Sequence, residues 1–340
     1  MTAQSAVDMP EQTFVIDVEL AGQTLATALR ALRAGVSWSQ IKRLITSRRV
    51  EVNRTLCLND ARRLSAGDVV VVREQPGAPV PGAEDVRILH IDPDLIVIDK
   101  PAGIVSLRRD EEAEFSKLRK SLQPTLDELV VQLLPGWRRV NRGNRRPRKG
   151  AGPVVYPVHR LDRDTSGLML FALSVRARDA LIGMFSRHQV HRSYIAVVLG
   201  RVEEPREVRT LLVRDRGDGL RGSLPPGSDD ARAKPAVTRV RPIEHIGDAY
   251  TVVECELETG RTHQVRIHLA EIGHMLCGEK LYTRPAADAP GLNDSSGAPR
   301  QALHSASLRF EHPISRRPLE FKSPLSNDLS RWLERLRQGR

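Results

Sequence analysis

The sequence predicts an α+β protein made of a small domain followed by a larger one. Three observations support this prediction. Short strand and helix patterns alternate between Phe14 and Gln75, a segment rich in proline and glycine follows, and a longer mixture of both patterns begins near Val86. The length of 340 residues also suits more than one domain, because a single domain commonly holds about 100–200 residues.

The composition of the segment from Gln75 to Ala83, QPGAPVPGA, is typical of a linker between two independently folded parts. We therefore expect a disordered leader over residues 1–13 and a first domain over residues 14–75. A linker over residues 76–85 and a second domain over residues 86–337 complete the predicted organisation.

Hydrophobic spacing predicts the elements of the small domain. Val15 to Val18 alternates as a strand does, and Thr24 to Leu32 has apolar residues at helical spacing. Ser37 is a suitable N-cap for a second helix, whose apolar stripe includes Ile41 and Leu44. Two further short strands are expected at Val50–Asn53 and Val69–Val72.

The larger domain mixes strand and helix patterns along its whole length. Its expected strands lie within Ile88–Ile98 (two strands around a turn at Asp92 to Asp94), Val154–Leu173, Tyr194–Val198 and Ala249–Leu257. Its expected helices are Leu126–Leu134, Val175–Phe185, Gln264–Ile272 and Arg331–Leu336. The strongly basic stretch over residues 138–149 contains Gly and Pro and is expected to be a loop.

The charge balance favours a polyanionic partner. The formal net charge is +11 and the isoelectric point is near 10.1, and basic side chains bind phosphates by displacing counterions. No apolar run is long enough to predict a membrane span. The acidic N-terminus does not resemble a signal peptide, and the three well-separated cysteines suit buried thiols in a reducing compartment. We therefore expect a cytoplasmic protein.

Three stretches of the small domain share a pattern: Ser39 to Ile45 (SQIKRLI), Val50 to Asn53 (VEVN) and Leu64 to Val70 (LSAGDVV). Together they resemble the S4 RNA-binding domain, with Arg49 where that family usually has glycine. A cluster of basic side chains on one helix face and the following turn suits an RNA backbone recognised by shape. The candidate RNA-binding residues are Lys42, Arg43, Arg48, Arg49 and Arg54. A solvated helix face is the alternative interpretation.

The motif His-Arg-Leu-Asp-Arg-Asp-Thr-Ser-Gly over residues 159–167 contains the central pattern of another family without a change. With it the chain resembles the RluA-type pseudouridine synthases. Supporting matches are Ile98 to Gly103 (IDKPAG), Arg192 to Tyr194 (RSY), Thr259 to Leu269 (TGRTHQVRIHL) and Gly278-Glu279. Two of these depart from the family: Arg192 replaces a usual lysine and Glu279 a usual aspartate.

This resemblance implies both a fold and an activity. The second domain should be built on a mixed, mainly antiparallel sheet flanked by helices and loops. The chain should isomerise uridine to pseudouridine in RNA, with Asp162 as the catalytic nucleophile attacking either C1′ or C6 of the nucleotide. The family places a cation beside this aspartate, at Arg266, which we expect to hold the carboxylate ionised and oriented through two parallel hydrogen bonds. By the same resemblance, Tyr194 is the expected stacking partner of the flipped base, and its hydroxyl is expected near the chemistry, with removal of the C5 proton as a further candidate role.

Several alternatives stay open at this point. Arg160 is either a wedge that fills the space vacated by the flipped base or a contact to a phosphate. Asp162 and Asp164 lie two apart and share a face if the chain is extended there, as an acid/base pair in a sugar hydrolase would require. The histidines at 159, 263 and 268 do not have the spacing of a metal site, and we expect structural hydrogen bonds instead.

We therefore expect an RNA-modifying enzyme that acts as a monomer, with no cofactor, no metal and no membrane partner. An S4-like domain suggests a large structured RNA, with ribosomal RNA of the large subunit as the first candidate and tRNA as the second. The basic stretch over residues 138–149 either adds affinity for this RNA or is a disordered insertion. An RNA-binding or ribosome-assembly protein that has lost its activity is the alternative function.

Overall fold

The computed structural model describes residues 11–53, 55–77, 79–108, 120–121, 123–134 and 154–339. Arg54, most of the predicted leader and the whole basic stretch over residues 138–149 lie outside these ranges. The chain forms two compact units. The described residues up to Val80, together with those at 120–124, belong to the first, and those from Pro81 to Arg108 and from Thr125 onwards belong to the second.

The first unit packs two helices on a four-stranded antiparallel sheet of order β1-β4-β2-β3. Both helices carry N-caps that the sequence could supply. Thr24 accepts a hydrogen bond from the backbone of Thr27, and Ser37 forms a capping box with Gln40. The elements are β1 (Gln12–Val15), α1 (Leu25–Leu32), α2 (Trp38–Thr46), β2 (Val50–Val52), β3 (Thr55–Leu56) and β4 (Val69–Val72).

Both predicted helices of this unit are confirmed, but its first strand was placed too late in the sequence. The strand ends at Val15 rather than extending to Val18. Ile16 turns its side chain into the core and its backbone N–H donates to the carbonyl of Asp68, whereas Val18 is exposed. The alternating residues from Val15 to Val18 therefore span the end of a strand and the following turn, and those after Val15 are not paired with β4.

The second unit contains an 11-stranded sheet, counted over the described residues, with central order β11-β10-β12-β13-β9-β14-β8-β6-β5. Two short strands lie off this path: β7 pairs with β8 and β15 with β14. The strands are β5 (Arg87–Ile91), β6 (Leu95–Lys100), β7 (Tyr156–Pro157), β8 (Ser166–Ala172), β9 (His191–Leu199), β10 (Arg206–Val213), β11 (Gly222–Ser223), β12 (Lys234–Ile246), β13 (Tyr250–Leu257), β14 (Leu303–Glu311) and β15 (Pro318–Lys322).

Both faces of the central strands are buried. In β6, Ile96 and Ile98 pack into one apolar cluster, while Leu95 and Val97 pack into another. Because neighbouring side chains in a strand point to opposite faces, a strand covered on both sides is apolar throughout. The helices of this unit are α3 (Leu126–Leu133), α4 (Val175–Ser186), α5 (Gln264–Glu271) and α6 (Asn327–Arg337). Among the described residues, no helix is long and apolar enough to cross a lipid bilayer.

Strand β14 lies in the middle of the sheet, although it is one of the last elements in the chain. It pairs antiparallel with β9 on one side and parallel with β8 on the other, where His304 and Ser305 face Ser166 and Gly167. Gly167 has a φ of +106°, and a Cβ there would overlap the backbone of Ser305. This close approach explains why the motif over residues 159–167 ends in glycine.

The predicted fold class, α+β with a mainly antiparallel sheet, is confirmed. Six strands are nevertheless absent from the predicted elements: β3, β10, β11, β12, β14 and β15. In strand β12, exposed charged residues such as Arg239 and Arg241 alternate with buried Val240. Without knowledge of the neighbouring strands, this pattern is easily taken for an exposed charged segment. The terminal helix is also longer than predicted, since it begins at Asn327.

Candidate active site

A cavity of about 460 Å³ opens on one side of the large sheet. Five parts of the chain line it. They are residues 158–162 with Thr165 between β7 and β8, residues around the end of α4 (Phe185, Ser186 and His188), the start of β9, the connection from β13 to α5 between Leu257 and Arg266, and Leu303 at the start of β14. A cavity of several hundred Å³ is the size of typical small-molecule pockets and suits one nucleotide base. All three candidate catalytic residues, Asp162, Tyr194 and Arg266, are among its lining residues.

Asp162 lies on the segment between β7 and β8, whose backbone is held by hydrogen bonds from two buried side chains, Ser106 and Lys100. The Ser106 hydroxyl donates to the carbonyl of Leu161 (2.6 Å) and accepts from its N–H (3.1 Å). The fully buried Lys100 ammonium donates to the carbonyls of Pro101, Arg163 and Thr165 at 3.0, 2.9 and 2.8 Å. Burial lowers the pKa of Lys100 to about 7, opposed by the nearby carboxylate of Asp164. The Asp162 side chain is therefore presented to the cavity by an ordered backbone.

Arg266 contacts Asp162, but not in the expected geometry. Its Nη1 lies 3.3 Å from Oδ2 of Asp162, a single hydrogen bond. The two-pronged interaction is made instead with Glu279, whose oxygens accept from Nε at 2.8 Å and from Nη2 at 2.7 Å. The expectation that Arg266 binds Asp162 through two parallel hydrogen bonds is therefore wrong, because Nε and Nη2 of Arg266 donate to Glu279 instead.

Glu279 is buried at the base of the site and serves as the anchor of Arg266. Its Oε1 also accepts backbone N–H bonds from Lys280 and Leu281. Burial raises the pKa of the Glu279 carboxyl, but the hydrogen bonds and charge of Arg266 outweigh this effect and hold the pKa below its usual value. Burial lowers the pKa of Arg266, and the bond to Glu279 more than offsets it. Both partners therefore stay charged, and Nη1 of Arg266 is left to donate to Asp162.

Tyr194 is almost fully buried on β9, and its ring forms part of the cavity wall. Burial raises the pKa of its phenol above the usual value, against the opposing charge of Arg192. The hydroxyl therefore remains protonated near neutral pH, while the ring offers an apolar face to a base.

The three histidines of the motifs make hydrogen bonds, as expected. Nε2 of His159 accepts from the N–H of Leu170, His263 bonds to the hydroxyl of Tyr282, and His268 bonds to Thr210 and Thr238. Burial lowers the pKa of His159 to about 3, so this ring is neutral.

One group of possible metal ligands occurs in the described residues, and it lies outside the cavity lining: Asp92, Asp94 and His312. These side chains already have hydrogen-bond partners. Oδ2 of Asp92 contacts both His90 and His312, and Oδ1 of Asp94 accepts from Ser174. The group therefore acts as a set of polar contacts at the β5–β6 turn.

The candidate RNA-binding residues fall into two groups. Arg160 is exposed at the cavity, and Lys42 and Arg43 are exposed on α2. Arg48 and Arg49 are half-buried, and each donates from Nε to a backbone carbonyl, those of Gly77 and Arg73. Arg54 lies outside the described residues. Among the described members of the set, Arg160, Lys42 and Arg43 are the exposed ones.

Arg300 is a positioning residue that the motifs did not indicate. Its Nη1 donates to the carbonyl of Asp164 (2.8 Å), and its Nη2 to the hydroxyls of Ser166 and Ser326 (2.9 and 2.7 Å). Its Nε pairs with Asp328 on α6. One guanidinium thus connects the segment that carries Asp162 to the terminal helix. Arg300 lies just before β14, but its partners Asp164 and Ser166 are more than a hundred residues away in the sequence. Contacts over such a distance cannot be predicted from local sequence patterns.

Comparison with known proteins identifies the family. The family model described as RNA pseudouridylate synthase matches residues 94–271, a span that includes Asp162, Tyr194 and Arg266. The chain belongs to the RNA pseudouridylate synthase family. It is accordingly a pseudouridine synthase, an isomerase that acts on RNA.

Curated members of this family resemble the chain over most of its length. One from Zymomonas mobilis is 31% identical over 94% of this chain and 96% of that protein. Another from Escherichia coli O157:H7 is 31% identical over 93% of this chain and 91% of that protein, and one from Xanthomonas campestris is 34% identical over 79% and 75%. All three are named ribosomal large subunit pseudouridine synthase D.

Two solved human structures show the same fold. RNA pseudouridylate synthase domain containing 4 has a TM-score of 0.54 and covers 74% of this chain and 93% of its own. RNA pseudouridylate synthase domain containing 1 has a TM-score of 0.51 and covers 77% of this chain and 97% of its own. Each is 22% identical to this pseudouridylate synthase, so the likeness concerns the fold alone.

Proposed function

We propose that this pseudouridine synthase modifies uridines of large-subunit ribosomal RNA, with Asp162 as the nucleophile, Arg266 as its cationic partner and Tyr194 as the surface on which the flipped base stacks. The observation that carries the proposal is the ionic contact between Asp162 and a permanently charged Arg266 inside a cavity of about 460 Å³. The names of the similar proteins support the ribosomal target.

The reaction transfers the ribose from N1 to C5 of the same uracil. The N1–C1′ bond breaks, the base turns, C5 bonds to C1′, and C5 loses a proton while N1 gains one. An ionised carboxylate acts either by adding to C1′ as uracil leaves or by adding to C6 of the ring, and it is released when the C5–C1′ bond forms. In both routes the guanidinium of Arg266, whose Nη1 lies 3.3 Å from Oδ2 of Asp162, orients the carboxylate toward the base. The base reaches Asp162 only after leaving the RNA stack.

Replacing Asp162 by asparagine tests the proposal directly. The variant keeps the shape of the side chain but cannot act as a nucleophile, so turnover should fall at least about a thousandfold while RNA binding persists. Tritium release from labelled ribosomal RNA measures turnover. Asp164→Asn is a matched control, because Asp164 pairs with Arg163 and does not line the cavity. Comparable losses in both variants would favour a carboxylate pair and contradict a single nucleophile.

The RNA target is tested by mapping pseudouridines in cells with and without the gene. Sites lost from large-subunit ribosomal RNA and restored by the wild-type chain would support the proposal, whereas sites lost only from tRNA would contradict it. A strain carrying Asp162→Asn provides the control, because it retains the protein without its nucleophile. We also propose that the enzyme works in the cytoplasm, where ribosomal RNA is modified in bacteria such as those of the similar proteins.

We further propose that residues 14–75 form an S4-like RNA-binding domain joined by a linker over residues 76–85 to a catalytic domain over residues 86–337. The exposed Lys42 and Arg43 support this proposal. Replacing both by alanine should lower the slope of log affinity against log salt by about 1–2, since each lost phosphate contact removes about 0.7–0.9. Arg331→Ala with Arg335→Ala removes the same charge from α6 and should leave the slope unchanged.

We propose that the enzyme acts as a monomer, since Asp162, Tyr194 and Arg266 of a single chain line the same cavity. Light scattering of the protein without RNA, at the concentrations used for the activity assay, should give a mass near 37.9 kDa. A stable dimer at assay concentrations would contradict this proposal.

A further inference from the structure

Arg192 is a buried cation in the wall of the active-site cavity, and the part of the chain that the structure describes offers it no counter-ion. The residue is only 8% exposed, and its Nε has no hydrogen-bond partner. No carboxylate of the described residues forms an ion pair with it. A buried charge that lacks a partner is unfavourable, so its retention in a folded protein requires a reason other than stability.

The surroundings of Arg192 hold its side chain against the cavity. It lies two residues before Tyr194 on β9, and residues two apart in a strand point to the same face. The guanidinium carbon lies 5.3 Å from the centre of the Phe185 ring. On another side it lies against Gly260, where a Cβ would come within 2.6 Å of Nη1. The guanidinium therefore has a defined position beside the ring expected to stack on the base.

We infer that Arg192 is a substrate-binding residue that donates hydrogen bonds to a carbonyl oxygen of the flipped uracil. This inference rests on the proposed function, since it requires a uracil in the cavity. Breaking the N1–C1′ bond leaves the bonding electrons on the base, and the resulting negative charge is shared with the carbonyl oxygens. A preorganised cation at this place stabilises the charge as it develops.

A phosphate of the RNA backbone fits the position less well. Phosphates remain hydrated at the mouth of the cavity, where the exposed Arg160 and Arg261 are available to them. Arg192 is more than nine-tenths buried, which places it at the depth that a base reaches. The carbonyl oxygen is therefore the acceptor that matches its location.

The test compares stability with activity in Arg192→Met. Single-turnover pseudouridine formation should fall about 100-fold, as when one preorganised donor to a developing negative charge is removed. The melting temperature should stay the same or rise, because an unpaired buried charge has been replaced by an apolar chain. Arg192→Lys restores the charge and should recover most of the activity. A wild-type rate in Arg192→Met, or a loss of activity that accompanies a lower melting temperature, would overturn the inference.

Substrates with a single sulfur atom locate the contact. RNA carrying 4-thiouridine or 2-thiouridine at the target position has one weakened acceptor, so one of the two should slow the wild-type enzyme several-fold more than it slows Arg192→Met. Equal slowing of both proteins by both analogues would place the contact away from the base and overturn the inference. A wild-type enzyme that formed no pseudouridine in any RNA would overturn the proposed function as well, and the unmodified substrate identifies that case.

Discussion

Two buried arginines line the same cavity in opposite electrostatic situations. Arg266 is anchored by Glu279 through two short hydrogen bonds and donates from Nη1 to Asp162. Arg192 is just as buried, at 8% exposure, but has an aromatic ring and a glycine as neighbours instead of a carboxylate. Arg266, which is paired with Glu279, belongs to the framework of the site. Arg192 gains a hydrogen-bond acceptor only when the substrate supplies one.

The difference predicts which substitution harms the fold and which harms only the reaction. Removing Arg266 leaves Glu279 buried and charged without its counter-ion, so stability and activity should fall together. Removing Arg192 leaves no carboxylate behind, so activity should fall alone.

Arg266→Met should abolish measurable turnover and lower the free energy of unfolding by about 3–5 kcal/mol, the usual cost of breaking a buried ion pair. Urea denaturation and tritium release measure the two effects. Adding Glu279→Gln to this variant should recover part of the stability but none of the activity, because the uncompensated charge is then gone. Unchanged stability in Arg266→Met would contradict the anchoring role of Glu279.

Glu279→Gln alone should lower the free energy of unfolding at pH 7 by about 1–3 kcal/mol, since hydrogen bonds to a charged group are lost. The pKa of Glu279 is held below its reference value of 4.5, so its contribution is present above that pH and is lost as the pH falls through the folded-state pKa. The difference between wild type and Glu279→Gln should therefore shrink in acid. A difference that stays constant down to pH 2 would show that Glu279 is not the titrating group.

Arg300→Met should lower kcat about tenfold and leave KM nearly unchanged, because the segment carrying Asp162 loses a tether without losing a substrate contact. Steady-state kinetics on ribosomal RNA measure both constants. Arg337→Met is the matched control, since Arg337 pairs with Glu244 at the surface, where ion pairs contribute little. An equal effect of the two substitutions would argue against a tether.

Chelation of metal ions should have the smallest effect. Activity should persist in excess EDTA on an RNA that is kept folded by monovalent salt, because the carboxylates at Asp162 and Glu279 are engaged by Arg266. Activity lost in EDTA and restored by zinc would contradict this prediction and would direct attention to Asp92, Asp94 and His312.

Local patterns predicted much of this molecule. The helices with clear caps and apolar spacing, such as α1 and α2, follow from neighbouring residues alone. The motif over residues 159–167 was sufficient to indicate Asp162 and, with the later motif, to bring Arg266 to the same cavity. Interactions of this kind depend on short stretches of chain or on patterns that the family shares.

The remaining features depend on partners that are distant in the sequence. Glu279 was noted only as a departure from the family, and its pairing with Arg266 depends on how the chain returns after α5. Whether Arg192 has a counter-ion depends on which residues from distant parts of the chain pack around it, and a short sequence motif cannot indicate this. In the described residues its Nε has no hydrogen-bond partner. Strand β12 became recognisable only once β10 and β13 were seen to cover its edges.

The central place of β14 has a consequence for how the enzyme is made. Asp162 precedes β8 and Tyr194 lies on β9, and β14 is the ladder that joins these two strands in the described sheet. A ribosome synthesises the chain from its N-terminus, so both halves of the site emerge well before the strand that connects them. Closing contacts so distant in sequence is a slow step of folding. The cavity is therefore assembled among the last events of biogenesis, and a chain that stops before Leu303 should contain Asp162, Tyr194 and Arg266 yet lack a working cavity.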